Sequence, residues 1–201
     1  MDIISYSAGS KASSLEKRIR NKTLGKGIEG KYLNIDERIK YIEKVVDGLN
    51  SKANQLILND AINIMKAHAK LNTIAKTTRY RMQNMIFDDF IDVSGIDKSK
   101  SYGYFHSSGM GYIRPSGSSC IVETITEATE TTPSKAILTV EESGPTQPSS
   151  YFVSRDNGAN WEKIMPDQLF YFDDKISPVG KQIRIKAQLK SVLLSYGLIW
   201  S

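Results

Sequence analysis

Ser154-Arg155-Asp156-Asn157-Gly158-Ala159-Asn160-Trp161 is the stretch on which the reading of this chain turns. Tyr151-Phe152-Val153 precedes it and Glu162-Lys163-Ile164 follows it, so strand-like text stands on both sides. A tight hairpin turn needs positive φ at its centre, and Asn157-Gly158 tolerates that with little strain. Asp156 is placed to accept hydrogen bonds from the amides of the turn. Trp161 supplies a large apolar body that can cover the turn from the core side.

Outward from this octet the text keeps a period of two. Candidate strands are Cys120–Thr126, Lys135–Glu142, Ser150–Asp156, Asn160–Ile164, Leu169–Phe172, Lys181–Leu189 and Leu194–Trp200. In the sixth of these, Ile183, Ile185, Ala187 and Leu189 alternate with Arg184, Lys186 and Gln188, as in a half-buried antiparallel strand. Pro133, Pro145, Pro148, Pro166 and Pro178 fall between the runs, where a missing amide donor does no harm. Short strands separated by turn signals predict a small antiparallel β-sandwich over residues 120–201.

Upstream, residues 34–92 change to a helical period. Ile35, Ile39, Ile42, Val46 and Leu49 alternate spacings of four and three, which is a heptad seam. Asp36-Glu37 suits a helix N-terminus, while Asp47-Gly48 and Asn50-Ser51 interrupt or kink the helix. A second series in a shifted register runs Ile57, Ala61, Ile64, His68, Leu71, Ala75, Thr78, Met82 and Met85. A helix from Ser51 to Phe87 would be about 55 Å long at 1.5 Å per residue. A bundle of identical chains, or a partner protein, would cover such a helix. A helical hairpin folded at Gly48 within one chain is the competing arrangement. His68 and Thr78 are polar residues on the seam, where they would set register or oligomeric state. Asp88-Asp89-Phe90-Ile91-Asp92 is read as the end of the helix, and Gly95 as its exit. Residues 93–119, rich in Gly, Ser and Tyr, are read as a linker that packs its aromatics against neighbours. The fold class expected is α+β, a long coiled-coil-like helical region followed by the β-sandwich.

The chain has 201 residues and a net charge of +5. The charge belongs to residues 1–33, where Lys11, Lys17, Arg18, Arg20, Lys22, Lys26 and Lys31 face only Asp2, Glu16 and Glu29. Such a basic arm suits an acidic partner surface, nucleic acid or membrane. Ser10–Lys22 can form a short helix. Gly25-Lys26-Gly27-Ile28-Glu29-Gly30-Lys31 approaches a phosphate-binding loop, but the next residue is Tyr32 where a magnesium-binding hydroxyl is required. A hinge is the preferred reading. Cys120 is alone, so neither a disulfide framework nor a cysteine zinc site is available, and it is expected to be a small buried hydrophobe. No apolar run resembles a signal peptide or a bilayer span.

No catalytic constellation emerges. His68 and His106 are the only histidines, and no nucleophile elbow or pair of metal ligands is present. Asp173-Asp174 and Glu141-Glu142 are adjacent pairs, unlike the two carboxylates that glycoside hydrolysis places across a cleft. No catalytic residue, cofactor or metal ligand is therefore assigned, and the chain is expected not to be an enzyme.

Ser154, Asp156, Gly158 and Trp161 together resemble the Asp-box hairpin, with Asn160 standing where a hydroxyl usually precedes the Trp. Sialidases carry several such hairpins, one per propeller blade, and the hairpin is structural. The basic arm, the heptad-bearing helix and the small β-domain, with the ending Leu194-Ser195-Tyr196-Gly197-Leu198-Ile199-Trp200-Ser201, resemble the build of tailed-bacteriophage virion proteins. Fibre, neck-appendage and baseplate components are the nearest in style. The resemblance implies a structural component of a virion, made in the host cytoplasm. The arm and helices would dock onto other virion proteins and associate with copies of themselves, a trimer being favoured. The β-domain would face outward or clamp a neighbour. A host-surface glycan is a possible ligand of such a domain on an oligomeric stalk; nucleic acid is not the expected partner, because among the aromatics of the linker the basic residues are sparse, Lys98, Lys100 and Arg114.

Overall fold

A computed structural model of the chain describes residues 35–144 and 147–201. The arm of residues 1–33, with the possible helix Ser10–Lys22 and the glycine-rich stretch Gly25–Lys31, lies outside the described residues. The chain divides into two compact units, Met1–Gln55 and Leu56–Ser201. The division falls inside helix α1 (Ile35–Arg79), whose second half belongs with the β-structure. Among the described residues the fold is α+β, one helix and two antiparallel sheets.

Helix α1 passes through Asp47-Gly48 and Asn50-Ser51 without a break, so the chain does not fold back at Gly48. It stops at Arg79 and not at Phe87. Lys76 and Arg79 place positive charge in the last turn, where the helix dipole favours it. The amide of Arg81 donates to the Thr78 carbonyl (3.3 Å) and that of Met82 to the Thr77 carbonyl (2.9 Å). This is the Schellman pattern, which satisfies carbonyls that the helix leaves orphaned. Its left-handed position is filled by Arg81, at φ 52°, in place of the usual glycine. Arg81→Gly is therefore expected to raise stability by about 1 kcal/mol, the strain of a side chain in that region. Chemical denaturation would measure it, and a destabilised variant would show that the Arg81 side chain has a compensating role.

Eleven strands follow: β1 (Asn84–Asp88), β2 (Tyr104–Ser107), β3 (Tyr112–Pro115), β4 (Ile121–Glu123), β5 (Glu127–Ala128), β6 (Lys135–Ser143), β7 (Ser150–Ser154), β8 (Glu162–Ile164), β9 (Leu169–Tyr171), β10 (Gln182–Gln188) and β11 (Val192–Trp200). The six-stranded sheet is ordered β2-β3-β11-β6-β9, and β1 also pairs with β11. Strand β6 follows β11 along its length, while β3 meets it at Leu193 and β1 pairs with it from Tyr196 to Trp200. The five-stranded sheet is ordered β4-β10-β7-β8, with β5 beside β10 at Gln182 and Ile183. Residues 84–88, expected at the end of the helix, are thus a strand, and residues 93–119, expected as a linker, contain the β2–β3 hairpin.

Side chains of both sheets enter one buried cluster, including Leu138, Leu198 and Trp200 from the first and Val153, Ile183 and Ile185 from the second. Phe90 and Ile113, from the segment read as helix end and linker, belong to it too. Cys120 is buried in the same cluster, and burial pushes its thiol up to about 11, which leaves it unreactive. Along β11 the even residues Tyr196, Leu198 and Trp200 face this cluster. Ile199 instead joins Met82 and Ile137 in a second, small cluster beside Tyr80.

Candidate functional site

Two features singled out by the sequence have a definite geometry: the face of α1 and the hairpin between β7 and β8. Within Leu56–Arg79 the residues that bury are Ile62, Lys66, Ala69 and Thr73. Their spacings are four, three and four, so they form one stripe. Its composition is set by what it meets. Thr73 meets two small residues that are paired across the sheet, Gly197 on β11 and Thr139 on β6. The hydroxyls of Thr73 and Thr139 lie 2.6 Å apart. A methyl group on Gly197 would come within 2.6 Å of the Thr73 side chain, so backbone and helix approach as closely as glycine permits. Nearer the helix N-terminus, Lys66 Nζ donates to the Asp89 carbonyl (2.7 Å) and the Met110 carbonyl (3.0 Å), tying the helix to the loops after β1 and β2.

The seam expected from the heptads is a different face. At about 100° per residue, Ile57, Ala61, Ile64, His68 and Leu71 occupy a narrow stripe nearly opposite the docked one. Ile57, Ile64 and Leu71 are 67 %, 69 % and 65 % exposed. His68 is exposed among them. Within the other unit, Ile39, Ile42, Val46 and Leu49 are exposed as well, and Ile35 opens the helix. Met82 and Met85 do not belong to this seam. The helix has ended before either, Met82 is buried against Ile137 and Ile199, and Met85 lies on β1 opposite Ile199. In each unit, the most apolar stripe of the helix is therefore left exposed among the described residues. The docked stripe escaped the sequence reading because it holds a lysine, an alanine and a threonine; its only signal was the same four–three spacing.

The hairpin brings all its expected residues together. Asn157 (φ 64°) and Gly158 (φ 81°) take the left-handed conformation at its centre. Ser154 Oγ donates to Asp156 Oδ1 (2.6 Å) and accepts from the Gly158 amide (2.8 Å). Asp156 Oδ1 also accepts from the Asn160 amide (3.0 Å), and its Oδ2 accepts from the Asn160 side chain (2.7 Å). Asn160 thus closes the turn onto Asp156 with both its backbone and its side-chain N–H groups. Trp161 lies over Gly158, and the Lys186 ammonium stands 4.3 Å from its ring centroid. Trp161 is half-buried and outside the buried cluster, so it does not cover the turn from the core side as expected.

Burial opposes ionisation of Asp156, but the hydrogen bonds from Ser154 and Asn160 outweigh it and hold the carboxyl below its usual range. A carboxyl depressed by folding contributes stability above its ordinary range, and that contribution is lost as pH falls through the lower, folded value. Asp156→Ala is expected to cost roughly 1–3 kcal/mol at neutral pH, the range for hydrogen bonds to a charged group. The difference from the parent should shrink in acid, which paired denaturation curves would read. An equal loss at every pH would count against the hydrogen-bonded carboxylate.

Among the described residues no group of three or more His, Cys, Asp or Glu is arranged to hold a metal ion, and no helix is long and apolar enough to cross a membrane. No protein-family model, curated protein or solved structure matches the chain.

Proposed function

We propose that this chain is a non-enzymatic structural component of a bacteriophage virion, of the tail, neck or fibre-appendage type, that associates with copies of itself through helix α1. The observation that carries the reading is the exposed apolar stripe of a helix whose opposite stripe is docked on its own sheet. Identical helices in register cover such a stripe by knobs-into-holes packing. The four–three spacing puts Ile39 at an a position and Ile42, Ile57 and Ile64 at d positions. Isoleucine at d disfavours the two-stranded coil that leucine there selects, so a trimer is the preferred assembly. The two sheets are read as the layers of a β-sandwich, because both feed one buried cluster. The hairpin at Asp156 is read as a structural corner of that domain, since both carboxylate oxygens are engaged within the turn.

Immunogold electron microscopy tests the location, with an antibody against residues 120–201 applied to particles released by the cells that make the protein. Label at one fixed place on the particle is the expected result. Label that stays in the cell and never on particles would sink the virion reading.

A further inference from the structure

A cavity of about 500 Å³ opens between β1 with its following loop and the β4–β5 segment of the other sheet. Four acids line it: Asp88, Asp89, Asp92 and Glu127. No lysine, arginine or histidine does. Tyr196 reaches it from β11 and is 7 % exposed. Its ring packs on Phe90, with centroids 5.9 Å apart. Its hydroxyl has no hydrogen-bond partner among the described residues and stands in the field of Asp88 and Glu127. The side chain is more than nine-tenths buried, and its hydroxyl, open to the cavity, is a hydrogen-bonding position without a partner that faces carboxylates. Lys66 acts on Asp88 and Asp89 from outside the lining, with its ammonium bonded to the carbonyls of Asp89 and Met110.

Three of the acids also close local turns: the amides of Phe90, Ile91 and Ser94 donate to Asp88, Asp89 and Asp92. Burial pushes the Asp88 carboxyl up, the amide of Phe90 bonded to it opposes this, and Asp89 and Asp92 add like charge. A carboxyl raised by folding favours the fold below its ordinary range and loses that contribution as pH rises through the folded value. Asp88→Asn keeps an acceptor for the Phe90 amide and should be more stable than the parent at neutral pH, with the gain vanishing in acid. At Asp88 folding thus opposes the charge, whereas at Asp92 the bonds from Ser94 favour it.

We infer that this cavity binds an organic cation, an alkyl ammonium or guanidinium, whose charged head lies among Asp88, Glu127 and the Tyr196 hydroxyl. The carboxylates are spread around a space sized for a ligand of several heavy atoms, not gathered as a small hard metal ion requires. Exposed Ile91 and Ile125 line the same cavity and offer apolar contact to an alkyl stem. The inference is independent of the virion reading and of self-association.

The test is isothermal titration of the full chain at low ionic strength with cadaverine, beside pentane-1,5-diol as its neutral counterpart. Saturable one-to-one binding of the diamine and none of the diol are expected. Asp88→Asn and Glu127→Gln should each weaken binding about tenfold, as for loss of one charge-assisted hydrogen bond. Tyr196→Phe, which keeps the ring, should weaken it about threefold, a neutral hydrogen bond's worth, and Glu130→Gln should leave it unchanged. A capped Gly-Lys-Gly peptide distinguishes the source: tighter binding than cadaverine assigns the site to a protein lysine, weaker binding to a free amine. Equal binding of the diol, preference for Mg²⁺, no saturation, or unchanged affinity in folded Asp88→Asn and Glu127→Gln chains would each overturn the inference.

Discussion

Replacing Ile64 and Leu71 by lysine is expected to convert a self-associating chain into a monomer with an intact β-fold. Both side chains stand on the exposed stripe of α1, at 69 % and 65 % exposure, so the substitutions remove nothing from the buried clusters of the described residues. In a bundle each would be buried, and losing it removes about 1.5–3 kcal/mol. Two such losses per chain come to roughly 3–6 kcal/mol, which weakens association by about two to four orders of magnitude. The introduced charges add repulsion at the seam. Light scattering after size-exclusion chromatography reads the mass, and near-ultraviolet circular dichroism reads the β-fold. A parent chain that is monomeric at high concentration, or a double variant that keeps its mass, would show that the stripe is covered by something other than a second copy.

Gly197→Ala is expected to lower stability by about 2 kcal/mol, within the range for overpacking a tight interior. The added methyl would stand 2.6 Å from both Cγ2 and Oγ1 of Thr73 and 2.7 Å from the Thr139 hydroxyl. Neither threonine can swing aside cheaply. Each is branched at Cβ, the Thr73 hydroxyl also bonds the Ala69 carbonyl at 2.9 Å, and that of Thr139 bonds the Gly197 carbonyl at 3.2 Å. The helix must lift from the sheet or the sheet must bend. Thr73→Ala costs the parent chain its buried hydroxyl contact but makes room for the methyl, so it should partly rescue Gly197→Ala. Denaturation of the four chains gives the coupling directly, and a value of about 1 kcal/mol or more is expected for residues in contact. Strict additivity would mean that the close approach of helix and sheet at Gly197 is not what limits the site.

The strands that sequence made legible are those whose alternation is set by burial on one side. Lys135–Glu142 and Lys181–Leu189 correspond to β6 and β10 within a residue or so at each end. The Asn157-Gly158 turn was legible because its φ angles restrict it to a few residue types. Strand β1 was hidden because Met82 and Met85 continue the helix's heptad spacing, and because Arg81 fills the left-handed position after the helix, where a glycine would have announced the stop. Tyr104-Phe105-His106-Ser107 and Tyr112-Ile113-Arg114-Pro115 are short aromatic and branched runs around Ser108-Gly109-Met110-Gly111. Read as strands, they give the β2–β3 hairpin; read by composition, they give a linker. The docked face of α1 was out of reach for another reason. Thr73 and Ala69 look like surface choices until Gly197 and Thr139 are known to lie beneath them. The acidic cavity likewise draws Asp88, Glu127 and Tyr196 from segments remote in sequence; Asp88 was read as a helix end and Tyr196 as part of a strand, and neither reading brings them together.

Strand β11 has a consequence for the order in which the molecule is made. It is the common partner of β1, β3 and β6, and β1 pairs with no other strand among the described residues. On the ribosome, β1 and the surface that receives Thr73 must wait for the last strand to emerge before the six-stranded sheet can close. The stripe of Ile57, Ile64 and Leu71 emerges long before that, on a helix whose bonds are all local. Contacts between near residues form sooner than contacts between distant ones. Neighbouring nascent chains on one message thus present their helices to each other while their β-structures are still incomplete. If the chain associates through that stripe, as proposed, assembly would precede folding, and the oligomer would be counted out on the polysome rather than by diffusion of finished subunits.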